Sequence, residues 1–155
     1  MSEAAQPVFN IEKLFVKDLS VEVPNAPAIF GEREAPQMDV NMSTESRALG
    51  NDVYYNGITV TITAKMGEKT MFLVECTQAG IFRIQNISQE QLPMVLGIGC
   101  PNIVFPYLRE TVSDVVIRAG FPPLLLNPVN FEALYMQQQQ AQQQQAPAAT
   151  PAQTH

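Results

Sequence analysis

The sequence predicts an α+β fold, a four-stranded antiparallel sheet with helices packed on one face. Three observations lead there. Apolar and polar residues alternate with a period of two through the first half of the chain, whereas the second half carries the three- and four-residue spacing of helices. The strand-like stretches all precede the helical ones, an order that segregates sheet and helices into separate layers. Gly67-Glu68 makes a short turn between the two clearest strands, which makes them antiparallel neighbours.

Residues 1–10 read as a flexible arm. From Ile11 to Val23 the chain alternates, with Phe15, Lys17, Leu19, Val21 and Val23 on one side and Val16, Asp18, Ser20 and Glu22 on the other. Asp18 and Glu22 therefore share a face, and their charge makes it the wet one. Pro24, Pro27 and Pro36 stiffen the next stretch into an extended crossing connection. It carries two large apolar residues, Ile29 and Phe30, which either plug the local core or serve a binding function. Met38 to Ser43 is a second alternating stretch, and Ser43 to Asp52 reads as a polar turn region.

Tyr54 to Lys65 is the clearest strand, with Ile58, Val60, Ile62 and Ala64 on one face. Thr70 to Gln78 returns beside it. Phe72, Val74, Cys76 and Gln78 share one face, and Met71, Leu73, Glu75 and Thr77 share the other. Apolar residues on both sides predict that this strand is covered on both. Ala79 to Phe82 is expected to lead out of the sheet.

The helical half is organised around Gly97-Ile98-Gly99-Cys100-Pro101-Asn102-Ile103-Val104-Phe105-Pro106-Tyr107-Leu108-Arg109-Glu110. Ser88-Gln89-Glu90-Gln91 fits a capping box that starts a helix. The glycines and prolines should disturb it near Gly97 to Pro101, because an internal proline removes a donor and costs roughly 3 kcal/mol. After Pro106, Leu108, Val112, Val115 and Ala119 mark one helical face, and Gly120 is the stop. Phe121 to Pro128 is a proline-bounded apolar loop. Asn130 caps a last helix that presents Phe131, Leu134 and Tyr135. Residues 137–155 form a Gln/Ala/Pro-rich tail; glutamine lets the helix run some way into it, and its end is expected to be disordered. The folded unit is thus one domain, residues 11–136.

Composition narrows the function. The chain has 155 residues and a net charge of −6, which repels phosphate backbones, argues against nucleic acid and favours a basic partner. Charged residues make up 15% of the chain, where roughly 25% is usual. So few charges leave apolar exterior, for self-association or for an apolar ligand. Two cysteines, Cys76 and Cys100, and one histidine, His155, do not make a disulfide framework or a zinc site. There is no apolar run of the length a membrane span needs and no leader-like apolar segment, so a cytoplasmic protein without membrane insertion is expected.

Catalytic chemistry has little to stand on. Gly67-Glu68-Lys69-Thr70 joins two strands instead of opening a helix, unlike a phosphate loop. Gly97-x-Gly99 lacks the third glycine of a dinucleotide fingerprint, with Asn102 in its place. Cys100 precedes a helix, which could lower its thiol pKa, but no histidine is available to pair with it, and a buried structural cysteine is the better reading. No catalytic residue, cofactor or metal is assigned.

Four motifs together carry a resemblance over residues 11–136: Val16-Lys17-Asp18-Leu19-Ser20-Val21-Glu22-Val23-Pro24-Asn25-Ala26-Pro27; Gly80-Ile81-Phe82; Leu96-Gly97-x-x-Cys100-Pro101-Asn102-Ile103-Val104-Phe105-Pro106-Tyr107-x-Arg109-Glu110; and Phe121-Pro122-x-Leu124-x-Leu126-x-Pro128-Val129-Asn130-Phe131. The chain resembles SecB, the cytoplasmic protein-export chaperone family of Gram-negative bacteria. The resemblance implies a homotetramer, a dimer of dimers with helices between the dimers, and no enzymatic activity. It implies unfolded precursors of exported proteins as clients and SecA, the motor ATPase of the Sec translocase, as receiver. SecA contact would fall on Asp18, Glu22, Leu73 and Glu75. The tetramer interface would involve Val74, Cys76 and Gln78. The client groove would draw on Ile29, Phe30, Met38, Val40, Met42, Phe121, Leu124, Leu126, Phe131, Leu134 and Tyr135, each also readable as simple core. An antitoxin-linked chaperone is an alternative within the family. Family tails are often acidic, and this one is uncharged, so a tail role in SecA binding is not expected to carry over.

Overall fold

The computed structural model describes residues 5–145. Four antiparallel strands form one sheet in the order β1-β4-β3-β2, with β1 Val8–Glu22, β2 Gln37–Gly50, β3 Val53–Met66 and β4 Lys69–Gln85. The crossing connection from β1 to β2 contains one 3₁₀ turn, Ala28–Gly31. A helical rod follows: α1 Leu92–Met94, a π-helical segment Val95–Gly99, and α2 Cys100–Arg118. The last element is α3, Phe131–Gln145. The expected α+β architecture and the single helix-bearing face are both present.

The core lies between the central strands and α2. Ile58, Val60, Ile62 and Ala64 of β3 are fully buried, as their alternation predicts, and Phe72, Val74 and Cys76 of β4 join them. From above, α2 contributes Val104, Leu108, Val112 and Val115, four buried positions at helical spacing. Pro106 sits within α2 without ending it. Gly120, at φ +98°, closes the helix: its N–H donates to the Ile117 carbonyl and that of Phe121 to the Val116 carbonyl. This is the paired-bond stop that glycine permits. Of the expected caps, that at Asn130 forms, whereas the Ser88 box forms only in half: Gln91 does not reach back, and α1 starts at Leu92. Ser88 Oγ accepts from the Gln91 N–H at 3.2 Å, and Asn130 Oδ1 from the Ala133 N–H at 3.0 Å.

Several sequence expectations need correction. β1 begins at Val8, inside the stretch 1–10 expected to be an arm, and Phe9 packs on Phe82 with ring centroids 5.5 Å apart. A β-bulge at Lys17 shifts the register between Val16 and Asp18. Upstream of it the parity inverts, so Val16 pairs with Gln78 on the helix side and Phe15 pairs with Ala79 on the open side. Ser43 to Asp52 is not a turn region. It continues β2, paired with β3, and the turn narrows to Gly50, Asn51 and Asp52, all at positive φ. An edge strand with one open face tolerates such polar residues. Nor does Ala79 to Phe82 leave the sheet, since β1 and β3 hold β4 on both sides through Arg83. The outer face of β4 is not covered by a second layer: Glu75 is exposed and Leu73 and Thr77 half-exposed. Residues 137–145 of the predicted tail are helical, and the expected disorder of its end lies outside the described residues.

Candidate functional site

On the helix side of the sheet, α2 covers β3 and β4 but not β2. Met38, Val40 and Met42 of β2 pair with Ala64, Ile62 and Val60, so their side chains share the core face. No helix lies over them, and Val40 is 46% exposed. The segment 124–129 runs opposite. Between them lies a groove of about 410 Å³, walled by Met38, Val40, Met42, Phe105, Leu124, Leu125, Leu126 and Val129. Arg109 fixes the far wall. Its Nε donates to the Leu126 carbonyl at 2.8 Å, and its guanidinium lies 5.0 Å from the centre of the Phe105 ring. Such a site takes apolar side chains without demanding one shape, because methionine and leucine adapt their rotamers.

The groove gathers Met38, Val40, Met42, Leu124 and Leu126 of the predicted client-binding set and leaves six elsewhere. Ile29 is 2% exposed and belongs to the core. Phe30 is exposed and stacks on buried Phe121 at 5.2 Å, which leans on Phe72 at 5.1 Å, forming a second aromatic spot beside the crossing connection. Phe131 is buried edge-on against Phe105. Leu134 and Tyr135 pack against the helical rod, where a Cβ at Gly97 would come within 2.6 Å of the Tyr135 ring. Sequence reasoning missed Phe105, Leu125 and Val129. Phe105 was legible only as part of the apolar run after Cys100.

The other side of the sheet is polar. Pairing places Glu22 opposite Leu73, Ser20 opposite Glu75 and Asp18 opposite Thr77. Asp18, Glu22, Leu73 and Glu75 thus lie on one open face across β1 and β4. The three ion pairs among the described residues engage none of these carboxylates. Asp39, which the sequence reading passed over, extends the Glu22 row through Leu73 and Thr63 to β2. The alternation Met38-Asp39-Val40 was the signal that could have found it.

A family model described as Preprotein translocase subunit SecB matches residues 2–143. The chain belongs to the SecB family. It is 83% identical over 155 residues, the whole of both chains, to the protein-export protein SecB of Thiobacillus denitrificans. It is 61% identical to that of Dechloromonas aromatica, over 99% of this chain and 100% of that one. Among solved structures it is similar to a SecB-like chaperone of Mycobacterium tuberculosis in complex with an antitoxin peptide. That likeness has a TM-score of 0.64 at 18% identity, over 78% of this chain and 90% of that one, and bears on the fold.

Within this SecB-family chain, Val74, Cys76 and Gln78 are buried beneath α2, and Gln78 Oε1 accepts from Thr111 Oγ1 at 3.1 Å. They offer no surface of their own, and their cross-strand neighbours on β1 are the exposed Val21, Leu19 and Val16. The two thiols are equally enclosed. Burial pushes Cys100 up to about 12. Burial first, and the nearby charge of Asp18 second, push Cys76 up to about 11. A lowered pKa at Cys100 is therefore overturned: burial strips the thiolate of its hydration, and Cys100 lies inside the continuous helical rod, not at a free helix start. No helix among the described residues is long and apolar enough to cross a membrane. No group of three metal-ligating side chains occurs among them.

Proposed function

We propose that this SecB-family chain is an ATP-independent holdase that keeps unfolded precursors of exported proteins competent for translocation and passes them to SecA. The groove between β2 and the 124–129 segment carries the reading. It is apolar, lies open at the surface and is built of adaptable side chains, so it suits extended stretches of unfolded chain more than one folded partner. The antitoxin peptide held by the mycobacterial protein of the same fold is in keeping with this.

Assembly would multiply the effect. Val16, Leu19 and Val21 leave an exposed apolar strip along β1, and Tyr107 and Ile117 leave another on α2. Both support self-association, which the family reading makes a homotetramer, a dimer of dimers, and that same reading places it in the cytoplasm. Several weak grooves on one particle act together, because a second contact on the same client sees an effective concentration of order mM. A client that folds quickly buries its apolar segments and escapes. The carboxylates of Asp18, Glu22 and Glu75 face away from the groove, so SecA could dock there while the client is held. Steering by opposite charge would speed that encounter.

The test pairs light scattering with a refolding assay. A mass near four chains, and refolding of a denatured precursor arrested at a stoichiometric amount of the tetramer without nucleotide, are the expected results. A monomer that leaves refolding unchanged would overturn the reading.

A further inference from the structure

The outer sheet face holds a second feature two rows from its carboxylates. Tyr55 projects from β3 on this open side yet is only 4% exposed. Its ring lies along the strand over Gly57, where an added Cβ would meet the hydroxyl at 2.5 Å, so only glycine leaves the space. Two cations reach the ring from opposite edges of the sheet. Lys17 Nζ, from the β1 bulge, is 5.1 Å from the ring centre, and the Arg47 guanidinium carbon, from β2, is 4.9 Å away. Neither enters an ion pair among the described residues, although Glu45 stands two positions from Arg47 on the same strand face. The Tyr55 hydroxyl is buried and has no hydrogen-bond partner.

We infer that Lys17, Tyr55 and Arg47 form a cradle for a carboxylate carried by the polypeptide that docks on the neighbouring acidic rows. The inference rests on the proposed use of that face for docking. Packing alone accounts for part of the cluster, since cations over an aromatic ring are mildly favourable. It does not account for the hydroxyl, because phenylalanine would pack as well and leave no donor unmet. Once the contacts that bury the hydroxyl give way, a carboxylate supplies countercharge for two cations and an acceptor for one O–H. The spacing suits one segment. The Tyr55 row lies two rows from that of Asp18, which is roughly 14 Å along the strands or about four residues of extended chain. The face would then recognise a dipolar stretch, cations over Asp18, Glu22 and Glu75 and an acidic side chain over Tyr55.

The sign of one mutational effect separates this from packing. Towards a purely basic ligand, Lys17 and Arg47 only repel, so removing them should tighten binding. With the cradle, removal loosens it. The experiment is calorimetric titration of SecA into the full chain and three variants, with thermal melts as a control. Lys17→Ser/Arg47→Ser should weaken binding about tenfold or more, and Tyr55→Phe about threefold without lowering the melting temperature, in line with the loss of charge-assisted bonds. Unchanged or tighter binding by Lys17→Ser/Arg47→Ser, with weaker binding by Asp18→Asn/Glu22→Gln, overturns the cradle and leaves the docking face standing. Weaker binding by Lys17→Ser/Arg47→Ser alone keeps the cradle and removes the acidic rows. No binding of SecA to the parent chain overturns both. Should the double variant not fold, unchanged SecA binding by Tyr55→Phe still overturns the cradle. Saturable binding of inorganic tripolyphosphate, lost in the double variant, would assign the site to phosphate and overturn the carboxylate.

Discussion

The side-chain nitrogen of Asn56, on β3, lies 3.1 Å from the carbonyl oxygen of Leu96, in the helical rod. The contact explains how the rod survives its own sequence. In the π segment the Cys100 N–H reaches back five residues to the Val95 carbonyl. The next donor in that register is Pro101, which has none. The Leu96 carbonyl is thus left without a backbone partner, and the sheet supplies two donors, Asn56 Nδ2 and Ser46 Oγ at 3.3 Å. Asn56 also donates to Ser46 Oγ at 2.7 Å, joining β2, β3 and the rod.

Asn56→Ala should therefore lower stability by about 1 kcal/mol, because it removes one of the two donors to the part-buried Leu96 carbonyl and leaves Ser46 Oγ as the other. Pro101→Ala returns a backbone N–H within reach of that carbonyl. In its background the Asn56 loss should shrink, giving a coupling of about 1 kcal/mol in a double-mutant cycle. Urea unfolding at fixed protein concentration measures it. Strict additivity would mean that the carbonyl does not depend on the amide.

How much of this was legible in the sequence varies with range. Ile58 to Ala64 announced their face because burial on one side of a strand forces a period of two. Gly120 and Asn130 announced helix ends because capping is decided within a few residues. The Lys17 bulge was not legible: alternation fixes parity only while pairing stays regular, and the partner strand is about sixty residues away. The π segment showed as glycines and prolines in the wrong place, but its anchor, Asn56, sits in another element. The groove was half legible. Met38, Val40 and Met42 alternated as an apolar edge should, whereas Phe105 and Val129 line it only because of how α2 and the 124–129 segment cross.

Val40 is the groove residue whose loss should be cleanest. It is exposed on an edge strand and supports little core, so Val40→Asp should change stability by no more than about 0.5 kcal/mol. Inside the groove the new carboxylate meets apolar walls and raises the cost of seating an apolar segment. Client holding should weaken about tenfold, a loss of about 1.4 kcal/mol, while the scattered mass stays at its parent value. A refolding assay titrated with chaperone reads this. Undiminished holding would move the site elsewhere, with the Phe30–Phe121 stack as the next place to look.

The thiols give a pH signature with a definite sign. Their ordinary pKa is 9.0, and the folded chain raises Cys76 to about 11 and Cys100 to about 12. Between 9 and those values the unfolded chain loses protons that the folded one keeps. Stability should then fall as pH rises above 9, by at most about 1.4 kcal/mol per pH unit for each thiol. Below 9 the thiols impose no slope. Cys76→Ala/Cys100→Ala adds a cavity cost that does not vary with pH, so the readout is the slope of the difference between parent and variant. A difference that stays flat from pH 8 to 11 would show that the thiols ionise alike in both states.

The separation of surfaces can be tested through Asp39. In the proposed arrangement client side chains enter from the helix side, through Met38 and Val40, and Asp39 lies between those two in sequence while facing the opposite way. One residue of register thus divides the two proposed tasks on a single strand. Charge reversal at Asp18 and Glu22 should weaken SecA binding strongly and leave client holding intact. Asp39→Lys should act in the same direction but less, by about threefold, because it stands at the far end of the row and an exposed charge contributes up to about 1 kcal/mol. Raising the salt concentration should narrow both differences. If Asp39→Lys impaired holding as much as docking, the edge strand would be failing as a whole, and the two faces of β2 could not be assigned separate roles.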